Sequence, residues 1–146
     1  MTPDDMFQIA NPVAMLGWIA LVAAPLAPRM ADAVANLIIP LLMSVAYSAL
    51  ILAYWAGSTG GYSSLPDVMA LFTDAHIALA GWVHYLAFDL FVGAWAVRHA
   101  RKRCIPHLLV LPHLVLIFLF GPAGFLTYHA MQLAFRLRAN PTGAPQ

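Results

Sequence analysis

Among the ionisable side chains in stretches otherwise fit for hydrocarbon, three could do chemistry together. His84 and Asp89 lie within Trp82-Val83-His84-Tyr85-Leu86-Ala87-Phe88-Asp89-Leu90-Phe91, and His113 lies within a later apolar run. A carboxyl and an imidazole are the usual acid and base of proton transfer. An ionisable group inside a bilayer costs about 2.5–3.5 kcal/mol on insertion scales, so it normally faces the protein interior or a cavity. No Lys or Arg lies within about two helical turns of Asp89 to neutralise it. The choice for Asp89 is therefore between a ligand or chemical site and a carboxyl kept protonated or hydrogen-bonded purely for packing. His84 and Asp89 are separated by about 140° and ~7.5 Å on one helix, too far to pair along it, but they can line two sides of a pocket if that helix stands centrally. Equally, His84 can serve only to bond a neighbouring hydroxyl.

A second set is Asn36, Pro40, Ser44, Tyr47, Ser48 and Trp55, polar or special residues recurring near helical spacing in the second apolar stretch. Such residues either pack helices together or face a ligand. Counting from the cytoplasmic helix ends at ~1.5 Å per residue puts Tyr47, Ser48 and His84 at ~20 Å, Asp89 and Ser44 at ~12–15 Å and His113 at ~9 Å. The pairings this predicts are His84 with Tyr47 and Asp89 with His113. A polar layer among aromatic and aliphatic walls suits an elongated apolar ligand with a few oxygens. Trp82, Phe88, Phe91, Trp95, Phe118 and Phe120 are the candidate walls, although aromatics at this depth also serve in ordinary packing. Asp89, His84 and His113 are thus the expected catalytic groups, with Tyr47, Ser44, Ser48, Trp82 and Phe88 at the ligand. No metal or cofactor is expected: Cys104 is the only cysteine, and the depths of His84 and His113 differ by ~10 Å, unsuited to a shared haem iron. A proton or ion path through the monomer has little support, since no inverted repeat is present.

The elements that must hold these groups are membrane helices. The chain is 62% hydrophobic and only 9% charged, with a mean hydropathy of +0.79, whereas a soluble domain carries about a quarter charged residues. That excludes a soluble globular fold, and the expectation is a single all-α transmembrane domain over residues 1–146, an integral membrane bundle of about four helices. Apolar stretches of the needed ~20 residues run over 9–26, 34–56, 76–97 and 107–135. The last is longer than one span and is interrupted by Gly121-Pro122-Ala123-Gly124, which predicts a kink, a tilt or a short re-entrant break. Residues 57–64 are rich in Gly, Ser and Thr and form a loop; residues 65–72, with Pro66 at their start, read as a short interfacial helix. Residues 140–146 read as a loose tail.

Loop charge orients the bundle. Arg98, Arg101, Lys102 and Arg103 cluster after the third span and Arg29 follows the first, while the N-terminus and the loop to Asp74 hold only acids. The arginine loops should be cytoplasmic. Arg136 and Arg138 then disagree with a four-span count, unless the break at Gly121 turns the chain back. The N-terminus carries Asp4 and Asp5 where a targeting peptide would be basic, so the first stretch is expected to stay as a span. The expected partners are the bilayer, an apolar ligand and other copies of the chain in a homo-oligomer; no nucleic acid is expected, because the basic cluster is topological.

The stretch from Trp82 to Phe91 and the stretch Phe120-Gly121-Pro122-Ala123-Gly124-Phe125-Leu126-Thr127-Tyr128 together resemble the two signatures of the abscisic-acid-deficient-4 family, small membrane proteins needed in plants to make neoxanthin from violaxanthin. Asn11, Trp18 and Pro25 also resemble its first-span pattern, which brings Asn11 into the expected ligand-binding set. The plant members carry a plastid-targeting extension that is not seen here, so the resemblance implies a bacterial inner membrane. It also implies carotenoid biosynthesis, with a carotenoid or related isoprenoid as ligand and an isomerisation as reaction: an epoxide opens while a proton leaves the neighbouring polyene. In that chemistry Asp89 is the acid, and His84 or His113 the base. The competing expectation is a carotenoid-binding or membrane accessory protein without catalysis.

Overall fold

The computed structural model describes residues 1–139, with side chains through Arg136; the tail read over 140–146 and the side chain of Arg138 lie outside the described residues. Every described element is a helix or helical turn. They are α1 (Pro3–Val22), α2 (Pro28–Ala33), a π turn (Val34–Ile38), α3 (Ile39–Tyr54), a 3-10 turn (Trp55–Gly57), α4 (Leu65–Leu71), α5 (Ala75–Lys102), α6 (His107–Phe120) and α7 (Pro122–Ala139). Three helical stretches are long and apolar enough to cross a bilayer: Pro3–Val22, Pro28–Gly57 and Ala75–Lys102. The chain groups into two compact units, residues 1–91 and the part from Val92 onward, with the boundary inside α5.

In the first unit, α1 begins with a reciprocal cap: Asp5 N donates to Thr2 Oγ1 at 3.1 Å, and Thr2 N to Asp5 Oδ2 at 2.8 Å. Pro3 at the start needs no hydrogen-bond partner for its nitrogen, and the two acids favour the positive end of the helix dipole. The rod Pro28–Gly57 contains Pro40, which cannot donate to the carbonyl four residues back. The helix widens just before it, so that Ile39 N reaches Val34 O instead, and a proline is absorbed without breaking the rod. α4 starts on Ser64, whose hydroxyl accepts from Asp67 N at 3.2 Å, and it covers most of the segment read as a short helix. Asp74 Oδ1 caps α5 by accepting from His76 N at 2.8 Å and Ile77 N at 3.2 Å.

The register between these helices follows from a few contacts. Asn11 meets Trp82, and a Cβ on Gly17 would strike the Leu90 side chain; the pairs advance together, so α1 and α5 run parallel. Tyr47 meets His84 and Tyr54 stacks on His76 at 3.7 Å, so α3 runs antiparallel to α5. A side chain at Gly17 would require the Leu90 side chain to shift.

In the second unit the fourth apolar stretch is not one long kinked rod. His113 Nδ1 and Thr127 Oγ1 are 3.0 Å apart, although fourteen residues of continuous helix would separate them by ~21 Å. The chain turns back at Gly121, whose φ of +27° lies in the left-handed region. α6 and α7 form a tight hairpin, in which a Cβ on Gly124 would collide with the backbone of Ile117. The reason is local: α6 ends on a glycine followed by Pro122, which can start a helix but not continue one. At 14 residues, α6 is ~21 Å long, short of the ~30 Å hydrocarbon core. α5 ends in a Schellman cap, with Cys104 left-handed at φ +54°, Ile105 N donating to Ala100 O at 3.0 Å and Cys104 N to Arg101 O at 3.2 Å.

Candidate functional site

Helix α5 carries two stripes of interest at helical spacing. Along one, the rings of His84 and Phe88 stack at 4.5 Å and 19°, and Tyr47 of α3 approaches His84 with centroids 5.5 Å apart. One turn further on, Ser44 and Pro40 of α3 with Ala87, Phe88 and Phe91 of α5 line a groove of about 210 Å³. Ser44 Oγ donates to Pro40 O at 2.7 Å and Ser48 Oγ to Ser44 O at 2.8 Å. Their protons are therefore committed to their own helix, and the lone pairs left over make them acceptors for a ligand.

Along the other stripe, Trp82, Tyr85 and Asp89 follow at i, i+3 and i+7. The Trp82 indole donates to Asn11 Oδ1 at 2.9 Å, while Asn11 Nδ2 donates to Phe7 O at 3.0 Å. Phe7 packs on the same indole at 5.6 Å, so Asn11 and Trp82 brace α1 against α5. Tyr85 hydrogen-bonds the Asp89 carboxyl, yet Asp89 Oδ2 is buried with no hydrogen-bond partner. An orphaned carboxylate oxygen is costly in this setting, and protonation or a ligand donor relieves it. Asn36 Oδ1, in the π turn, is a second buried acceptor without a partner.

A larger cavity of this unit, about 460 Å³, lies among α1, α3 and α5 and is walled by Ala10, Val13, Met43, Ala46, Leu50 and Val83, among others. Its volume falls within the ~300–1,000 Å³ range of small-molecule sites. The walls are mostly aliphatic, with Tyr54 the one aromatic ring, and neither His84 nor Asp89 lines it. The signal was present in α3, where Ala46, Ala49 and Ala53 recur on one face and leave space a neighbouring helix does not fill.

His113 belongs to the second unit. His113 Nδ1 and Thr127 Oγ1 are hydrogen-bonded at 3.0 Å, and Thr127 Oγ1 also lies 3.0 Å from Gly124 O. In the same unit Trp95 stacks with the rings of His99, at 5.1 Å and 17°, and His129, at 5.3 Å and 10°. Tyr85, the cavity alanines and this ring cluster are the features that sequence reasoning did not single out. Tyr85 was findable, because it stands four residues before Asp89.

Three helical stretches long and apolar enough to cross a bilayer mark a helical membrane protein. The chain belongs to the ABA4-like family, described as ABA DEFICIENT 4-like, whose model matches residues 5–128. Membership points to a carotenoid-related membrane protein. No curated protein and no solved structure matches the chain.

Proposed function

We propose that the protein modifies a carotenoid or related isoprenoid within the membrane, as an isomerase-like enzyme acting on an epoxycarotenoid. The observation that carries this reading is the buried, partnerless Oδ2 of Asp89, on the same helix as a histidine stacked on Phe88, which lines a small groove. In the reaction, protonated Asp89 gives its proton to the epoxide oxygen as the C–O bond opens. His84 removes the carbon-bound proton, and that electron pair forms the new cumulated double bond. The proton taken up by the base equals the one given by the acid, so substrate and product are isomers, and the next cycle needs the proton returned to Asp89. Tyr85 orients the carboxyl, Tyr47 and Phe88 flank the imidazole, and Ser44 and Ser48 offer acceptors to ligand hydroxyls. Asn11 and Trp82 keep the helices in register. A bacterial inner membrane is the proposed location, with the basic loop after α5 on the cytoplasmic side.

The second reading is a pigment carrier without catalysis. What favours it is the apolar lining of the larger cavity, which lacks both Asp89 and His84. Expression in a violaxanthin-containing membrane, with pigments extracted, separated and weighed, tests the enzyme: an isomer of unchanged mass should accumulate, and Asp89→Asn and His84→Ala should stop it. An unchanged product profile in both variants removes these residues from the mechanism. Pigment that copurifies stoichiometrically and unaltered favours the carrier.

A further inference from the structure

Asp89 is the last acidic residue of the chain, so no Asp or Glu accompanies the basic residues that follow it. In the second unit, the end of α5 and the end of α7 enclose a pocket of about 210 Å³ lined by His99, Arg103, Ile105, Gln132, Phe135 and Arg136. Two guanidinium groups therefore meet at one small pocket with no carboxylate side chain in their part of the sequence to neutralise them. The Schellman cap places them so, because it turns the chain at Cys104 and brings Arg103 and Ile105 round to face α7.

The second observation is Gln132. It is 7% exposed, it lines this pocket, and its Nε2 has no hydrogen-bond partner. The nearest hydroxyl is already engaged: Tyr128 donates to Ala96 O at 2.9 Å and, having no second proton, accepts from His99 Nδ1 at 3.1 Å. Gln132 comes up to that hydroxyl without hydrogen-bond geometry for Nε2. A buried amide donor without an acceptor costs about 1–3 kcal/mol. An acceptor placed in the pocket would relieve that cost.

We propose that this pocket binds a phosphate group, with Arg103 and Arg136 as charged donors and Gln132 Nε2 as the buried neutral donor. Phosphate offers several acceptor oxygens and negative charge, which matches two guanidinium forks and an amide. Ile105 and Phe135 give the pocket apolar walls beside the charged ones, and α5 ends here at the level where a spanning helix meets lipid headgroups. The phosphate comes either from an anionic lipid or from solution, and the chemistry of recognition is the same.

The experiment uses the full-length protein in phosphate-free detergent, with binding followed by calorimetry and by native mass spectrometry. The probes are dioctanoyl phosphatidic acid, inorganic phosphate and, lacking phosphate, dioctanoylglycerol. Phosphatidic acid should bind, inorganic phosphate should displace it, and dioctanoylglycerol should do neither. Arg136→Gln and Gln132→Leu should each weaken binding about tenfold or more, whereas Lys102→Gln, which removes the same charge from an exposed site outside the pocket, should change it less than about threefold. A lipid source is indicated when phosphatidic acid binds at least tenfold tighter than inorganic phosphate, and a soluble one when the two bind alike. If Gln132→Leu fails to fold, the exposed Arg136→Gln decides. Equal loss in Lys102→Gln and Arg136→Gln, equal binding of dioctanoylglycerol, or no binding of either phosphate probe overturns the proposal.

Discussion

Tyr47 of α3 and His84 of α5 meet with ring centroids 5.5 Å apart, in a seam where Phe88 also stacks on the imidazole. Tyr47→Phe keeps the ring and removes only the hydroxyl, so folding should persist. If the hydroxyl helps to hold the imidazole or a ligand oxygen, pigment conversion should fall about fivefold to tenfold, the weight of one hydrogen bond. Conversion assays on membranes from matched expression levels give the answer.

Replacing Asp89 by Asn preserves shape and a partner for Tyr85 but removes the transferable proton. Conversion should drop by about 100-fold or more, the usual contribution of a positioned general acid, while the melting temperature in detergent stays close to wild type. A large fall in melting temperature with conversion intact would mean that the carboxyl is there for packing.

Two glycines mark different kinds of closeness. At Gly17 the neighbour is the end of the flexible Leu90 side chain, whereas at Gly124 it is the backbone of Ile117. Gly17→Ala should therefore cost about 1–3 kcal/mol, as overpacking usually does, and Gly124→Ala should cost more because backbone cannot step aside. Thermal unfolding of both variants in the same detergent ranks them.

The hairpin makes a distance prediction. In a Cys104→Ser background, cysteines at positions 113 and 127 should be joined by a short bis-maleimide, since the native side chains touch at 3.0 Å. A continuous rod would hold them ~21 Å apart and leave them unlinked.

Filling the larger cavity should separate binding from stability. Ala46 lines it, and Ala46→Leu adds apolar volume where there is none. The variant should melt no lower than wild type yet retain several-fold less copurifying pigment, measured by visible absorbance.

Depth counting along helices was enough to read much of this from sequence. It pairs Tyr47 with His84, which the ring contact matches, because rise per residue is nearly constant and the turns between spans are well marked by Gly, Ser and Pro. The same reasoning located the short helix near Pro66 and the break at Gly121. It did not settle what the break does: a glycine and a proline permit a kink or a reversal alike, and only packing of Gly124 on Ile117 and the His113–Thr127 bond select the reversal. Arg103 and Arg136 then line one pocket, which removes the disagreement between the basic C-terminal residues and the basic loop. Of the aromatic walls read from the sequence, Phe88 and Phe91 line the groove at Ser44. The larger cavity opens where alanines recur on α3, because large rings fill space and small residues leave it.

The widened turn before Pro40 has an effect beyond tolerating a proline. One additional residue in a helix advances every later side chain by ~100° about the axis, so the turn acts as a phase adjuster for all of α3. Removing a single residue between positions 34 and 38 would leave the rod helical and apolar, yet swing Ser44, Tyr47 and Ser48 together off the α5 seam and toward lipid.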